Sequence, residues 1–286
     1  MFTNTNRLAL ARHYRVLLLM GFDFAGAAGS MAVLAGGGAG TSFPAQPTAG
    51  TQLTMNPSQA TYTGPAVAGL DINARATFIT RTYAHLGGAI IGFTLIEMYL
   101  FSSGWAERIA SAMLSVNWLL VLGSFVLVSW LASWAAGSLE SKPAQYAALT
   151  GFVVAQAIVF VPLLVIAQSR APGVIESAAV VTLIGFAALT AVVVFTRKDF
   201  SFLRGILTWG GIIALVLIAG GVIFGFQLGT YFSVGMVALA GAAILYDTSN
   251  VLHHYPEDRY VAASLELFAS VALMLWYVLR IFMSRR

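Results

Sequence analysis

Seven apolar windows, each about the length that crosses a bilayer, follow one another down the chain at roughly 82–103, 112–136, 144–168, 176–196, 203–224, 228–248 and 259–283. A helix that spans the hydrocarbon core takes about 20 residues. Inside lipid every backbone N–H and C=O must find its partner within the membrane, which leaves helices and closed barrels as the only spanning structures. The windows are continuous, without the two-residue alternation of a barrel strand, so helices are expected. The breaks between them are short, as at Gly137–Pro143, Ser169–Gly173 and the His253-His254-Tyr255-Pro256-Glu257-Asp258-Arg259 turn. Connections of this length force neighbouring helices to run antiparallel in a compact bundle. The expected fold is an all-α integral membrane protein, a bundle of seven transmembrane helices over 76–286. Composition agrees, since 9% of residues are charged where a soluble domain carries about 25%.

Several function classes are excluded early. The formal net charge of +4 comes from residues scattered through short loops, so no basic stripe for nucleic acid forms and the charges read as topology signals. With no cysteine in the chain, disulfides, thiol nucleophiles and cysteine-bound metals are ruled out. No phosphate loop, zinc motif or nucleophile elbow is present, so neither an enzyme nor a cofactor or metal site is expected. The basic loops place Arg75, Arg81, Lys142, Arg197, Lys198, Arg204 and Arg259 on one side, which favours a cytoplasmic N-terminus for the bundle; the expected location is the cell inner membrane.

Residues 1–75 read as a tail. Arg7, Arg12 and Arg15 precede the apolar run at 16–37, which Asp23 and a cluster of glycines interrupt; an interfacial helix and a true span both fit. Residues 38–70, rich in Gly, Pro, Thr and Ser, read as a disordered linker. Within the bundle, Gly87-Gly88, Gly210-Gly211, Gly220-Gly221 and Ala238–Ala243 are expected to mark close helix contacts. Trp105 and Trp134 fit interfacial belts, and Pro162 is expected to kink the third span.

Few ionisable residues fall within the windows, and an ionisable group in a membrane span is by default a functional hypothesis. Asp247 closes the sixth window, followed by Thr248 and Ser249, which are available to share its proton or hydrate it. Glu266 lies about two turns into the returning helix, where its carboxyl can meet that of Asp247. Two adjoining carboxyls titrate as a pair, and deprotonated they offer the hard oxygens that suit Ca2+. The alternative for Glu266 is a basic partner such as Arg204, or the headgroups. His85, Glu97 and Arg280 are accessory candidates: His85 as a hydrogen-bonded structural residue near a helix end, Glu97 and Arg280 within snorkelling reach of the interface.

Three stretches together resemble a known family. Ile244-Leu245-Tyr246-Asp247-Thr248 followed by Tyr260-Val261-Ala262-Ala263-Ser264-Leu265-Glu266-Leu267-Phe268 and Tyr277-Val278-Leu279-Arg280-Ile281-Phe282 is similar to the C-terminal signature of the Bax inhibitor-1 family, the transmembrane Bax inhibitor motif proteins. Arg81-Thr82-Tyr83-Ala84-His85-Leu86 and Thr196-Arg197-Lys198-Asp199-Phe200-Ser201 agree with it. The resemblance implies a seven-helix bundle around a central C-terminal helix, and a pair of aspartates on the sixth and seventh helices that latches a pH-sensitive calcium leak pathway. Asp247 matches the first aspartate; Ser270 stands where the second is expected, one turn beyond Glu266. Asp247, Glu266 and Ser270 are therefore the expected proton-sensing set. Two functions follow: a cation leak, with calcium the implied ion, or a non-conducting scaffold that binds another membrane protein such as a protease.

Overall fold

The computed structural model describes residues 66–116, 127–128, 131–132, 141–170, 172–226 and 228–284, with the backbone alone at Val222. The apolar run at 16–37, most of the linker, Trp134 and most of the second expected span lie outside the described residues. Helices α1 (Ile72–Ser102), α2 (Trp105–Ser115), α3 (Lys142–Arg170), α4 (Val174–Thr196), α5 (Leu203–Phe224), α6 (Thr230–His253) and α7 (Tyr260–Ser284) follow in order. Six of them, all except α2, are long and apolar enough to cross a membrane. At 11 residues, α2 is too short to cross alone.

The expected windows locate these helices, but α1 starts ten residues before its window, at Ile72 rather than 82. Its start is fixed by Asp71, whose Oδ1 accepts from the Ala74 N–H at 2.7 Å, the usual N-cap device. The added turns carry Arg75 and Arg81, which no hydropathy window would include, yet they bury Phe78 and Thr82. His85 is consequently well inside α1 rather than one turn from its start. The end of the expected linker is also ordered. Val67 is fully buried, its N–H donates to the Tyr255 carbonyl at 2.9 Å, and Ala66 forms an isolated bridge with Pro256. One apolar side chain and two backbone pairings suffice to dock a segment whose composition reads as linker.

The C-terminal helix α7 occupies the middle. It packs against α6, α4, α1 and α3, and its side chains are buried from Val261 to Arg280 with few exceptions. Aromatic rings hold it to its neighbours edge to face: Phe160 meets Trp276 at 4.9 Å, and Phe93 meets Phe160 at 5.2 Å and Phe268 at 6.1 Å. Such pairs add about 0.5–1.5 kcal/mol each beyond the area they bury. Trp276 thus serves the interior, whereas Trp105 is half-exposed beneath Arg108. Helix α3 continues through Pro162 without a break.

The small residues divide. A Cβ at Gly210 would stand 2.7 Å from Leu239 Cδ1, and one at Gly241 would stand 3.3 Å from Leu189 Cδ1, so these glycines do permit close packing of α5 and α4 on α6. Gly87 and Gly88 do not: a Cβ at either would meet nothing within 4 Å.

Candidate functional site: a buried carboxyl between the last two helices

Helices α6 and α7 pack against each other as a hairpin, turned by residues 254–259. Asp247 lies in the last two turns of α6 with only 2% of its surface exposed. Its Oδ2 accepts a hydrogen bond from the Ser270 hydroxyl at 2.5 Å. Its Oδ1 has no hydrogen-bond partner among the described residues. Ser270 is itself 2% exposed, so the contact is made out of water. The position where a second aspartate was expected does face the first; it presents a hydroxyl where a carboxyl would otherwise stand.

Glu266 sits one turn before Ser270, partly buried, within electrostatic reach of Asp247 and hydrogen-bonded by the Tyr255 hydroxyl. Its side chain thus has a partner within the hairpin, Tyr255, and lies on the side of α7 from which Asp247 is felt. Tyr246 lies at the same end of α6, hydrogen-bonded to Asn250 and within electrostatic reach of Glu266, Arg204 and Asp247. The site is an acid with one satisfied oxygen, a second acid nearby, and a surround of hydroxyls.

The two residues after Asp247 do not serve it as expected, because successive residues of a helix point about 100° apart. Thr248 is fully buried toward α1 and α4. There the Tyr83 hydroxyl faces the hydroxyls of Thr248 and Thr190 without being aligned for a hydrogen bond to either. Ser249 turns to the loop between α4 and α5, where its Oγ accepts from the Phe200 N–H at 2.9 Å and donates to Asp199 at 3.3 Å. Asp199 also takes the Ser201 N–H at 2.9 Å and the Ser201 hydroxyl, and pairs with His254 at 3.5 Å. Partial burial pushes the Asp199 carboxyl up, but the two Ser201 donors, His254 and Ser249 outweigh it and hold the group below its ordinary value. This strap fixes the 197–202 loop to the end of α6. Its residues, Asp199 and Ser249, are far apart in the sequence and carry no spacing signal; Tyr83 and Asp199 do lie inside stretches that the family resemblance marked.

The accessory candidates scatter. Glu97 is 7% exposed and neither carboxyl oxygen has a hydrogen-bond partner among the described residues, so it does not snorkel; its helix face turns inward. Arg280 is 9% exposed, with Nη2 donating to the Leu228 carbonyl at 2.7 Å. It ties α7 to the α5–α6 connection instead of reaching headgroups. His85 packs on Tyr260 at the start of α7, ring centres 5.1 Å apart, with Nδ1 2.6 Å from the Arg81 carbonyl and Nε2 3.1 Å from the Tyr146 hydroxyl. His253, whose Nδ1 is 2.9 Å from the Ser249 carbonyl, and His254 do not converge on a common point. No cluster of three or more metal-binding side chains occurs among the described residues.

A bundle of long apolar helices closed around one buried helix, with a buried acid beside that helix, defines a multi-pass helical membrane protein. The family described as "Inhibitor of apoptosis-promoting Bax1" matches residues 75–286, and the chain belongs to that family. Among curated relatives, an uncharacterized protein of Pseudomonas aeruginosa is 38% identical over 112 residues, 38% of this chain and 49% of the relative. The protein of Escherichia coli called modulator of FtsH protease YccA is 32% identical over 91 residues, 32% of this chain and 41% of the relative. A second Escherichia coli sequence, called inner membrane protein YccA, matches to the same extent. The chain thus spans about half the length of the relatives it matches.

Proposed function

We propose that this protein is a non-enzymatic, proton-responsive cation leak of the bacterial inner membrane, built as a seven-helix bundle. The observation that carries it is the buried Asp247 carboxyl, bonded through one oxygen to Ser270 and, among the described residues, without a hydrogen-bond partner at the other. A carboxyl in that setting has two distinct states. Protonated, it is a neutral link between α6 and α7. Ionised, it stands beside Glu266, and like charges at short range in a low dielectric repel strongly. Separation of the two helices relieves that repulsion and brings hard oxygens to face the opening, which favours calcium or another hard cation. The test is calcium efflux from liposomes holding the purified protein, followed across pH. Asp247→Asn should flatten the dependence, and a curve identical to the wild type would remove Asp247 from the mechanism.

A second reading has its own support. One matched relative carries the name of a protease modulator, and Ser270 replaces the second acid that a two-carboxyl latch needs. Under this reading the protein is a scaffold that binds a membrane protease and conducts nothing. Absence of calcium flux at every pH, together with a protease that co-purifies, would favour it over the leak.

A further inference from the structure

Helices α1 and α3 do not close against each other along their whole length. Between them lies a cleft of about 360 Å³, more than twice the roughly 150 Å³ that accommodates benzene in a dry apolar cavity. Ala84, Gly88, Gly92 and Ile96 line it along one stripe of α1, with Leu149 and Val153 opposite on α3. The stripe from 84 to 96 runs about 18 Å along the helix at 1.5 Å per residue. The cleft opens outward, since Ala84, Gly88, Thr150 and Val154 are exposed, and it stays wide because Gly88 puts no side chain into it.

One end of this cleft is polar and positively charged. His85 lines it, 3.1 Å from the Tyr146 hydroxyl, which is 3.3 Å from the Tyr260 hydroxyl. Over the Tyr260 ring stand two cations, the Lys142 ammonium at 4.5 Å and the Arg81 guanidinium at 5.6 Å from its centre. Lys142 also donates to the Asp258 carbonyl, while the Asp258 carboxylate turns to Arg259 at 3.5 Å. Among the described residues neither Arg81 nor Lys142 is paired with a carboxylate. A long apolar slot with two cations that no described carboxylate pairs, and two phenols at its mouth, has the shape and charge of one ligand class.

We propose that the α1–α3 cleft binds one acyl chain of an acidic phospholipid, with its phosphate held at Arg81 and Lys142. The occupant is drawn from the surrounding bilayer, and basic residues on the cytoplasmic side meet the leaflet richest in acidic lipid. This assignment is independent of the leak: the cleft opens on the outer face of the bundle, and none of its lining residues is hydrogen-bonded to Asp247.

Native mass spectrometry of the detergent-purified protein, titrated with phosphatidylglycerol or with phosphatidylcholine of the same chains, tests it. The wild type should retain phosphatidylglycerol about tenfold better, because each cation near the phosphate strengthens binding severalfold. Arg81→Gln with Lys142→Gln should bring it down to the phosphatidylcholine level. Gly88→Phe should displace both lipids, since its side chain enters the cleft without meeting a neighbour; Gly88→Leu fills the same space if the phenylalanine variant does not fold. Equal retention of the two lipids by the wild type would overturn the proposal. Wild-type retention by a folded Gly88 variant, or a second protein occupying the cleft in place of lipid, would overturn it as well.

Discussion

Replacing Ser270 by alanine removes one oxygen atom and little volume, at a site where both partners are 2% exposed. The lost bond is the 2.5 Å contact to Asp247 Oδ2. With it gone, neither oxygen of that carboxyl has a hydrogen-bond partner among the described residues, because Oδ1 already lacks one. The magnitude depends on charge. A hydrogen bond to an ionised group contributes about 1.5–3 kcal/mol and one to a neutral group about 1 kcal/mol. For a chain of this size 1 kcal/mol corresponds to roughly 2–4 °C in Tm. Ser270→Ala should therefore melt about 3–12 °C below the wild type where Asp247 is ionised, and about 2–4 °C below where it is protonated. Thermal unfolding in detergent, followed by circular dichroism at several pH values, reads this directly. The difference between the two proteins should widen as pH rises, and the pH at which it widens should coincide with the midpoint of the flux curve. A difference under about 1 °C at every pH would show that the contact contributes nothing and that Asp247 is not held by α7.

Four further outcomes follow from the same geometry. Ser270→Asp places two carboxyls face to face, where they must share a proton; calcium flux from liposomes should respond to pH more steeply than in the wild type. Arg280→Met removes the bond to the Leu228 carbonyl and should lower Tm by an amount equivalent to about 1.5–3 kcal/mol, with no change in the pH midpoint of flux. Asp199→Asn removes a carboxylate whose folded-state value lies below its ordinary one. Such a group stabilises the fold above the ordinary carboxylate range, and the stabilisation fades as pH falls through the folded-state value. The gap in Tm between wild type and Asp199→Asn should thus be full near neutrality and close in acid, and it should stay under about 1 kcal/mol because the pair is exposed to screening. Gly210→Val forces branched carbon into the space of Leu239, 2.7 Å from a Cβ at that position, and should destabilise the bundle by about 1–3 kcal/mol of overpacking, read as a lower Tm.

The bundle was legible because its cause is local. Six of the expected windows coincide with described helices, since a run of about 20 apolar residues has no other stable state in lipid. What escaped the windows was amphipathic. The first ten residues of α1 hold Arg75 and Arg81 and average out as polar, although Phe78 on their inner face is 1% exposed. Asp247 was legible for the opposite reason, as a charge in the wrong solvent. Its partner was legible only through the family signature: nothing about a serine among apolar residues singles out Ser270, and helix spacing alone offered Glu266 first. The strap from Asp199 through Ser249 to His254 could not be read at all, because it joins residues about fifty positions apart whose individual types are ordinary for loops.

That strap changes how the site is bounded. Ser249 and Asp247 are two residues apart on α6, so they project from different faces: Asp247 toward α7 through Ser270, Ser249 toward the α4–α5 loop through Phe200 and Asp199. The same final turns of α6 are therefore gripped from both sides. His254 completes the grip on Asp199, and the next residue, Tyr255, holds Glu266 by its hydroxyl and Val67 by its carbonyl. A movement that parts Asp247 from Ser270 must carry this turn with it, and so must either break the strap or take the 197–202 loop along. In the proposed leak, the barrier to opening would accordingly be shared between a buried contact and an exposed one. Loosening the exposed contact should make the buried one easier to part without touching the buried acid itself.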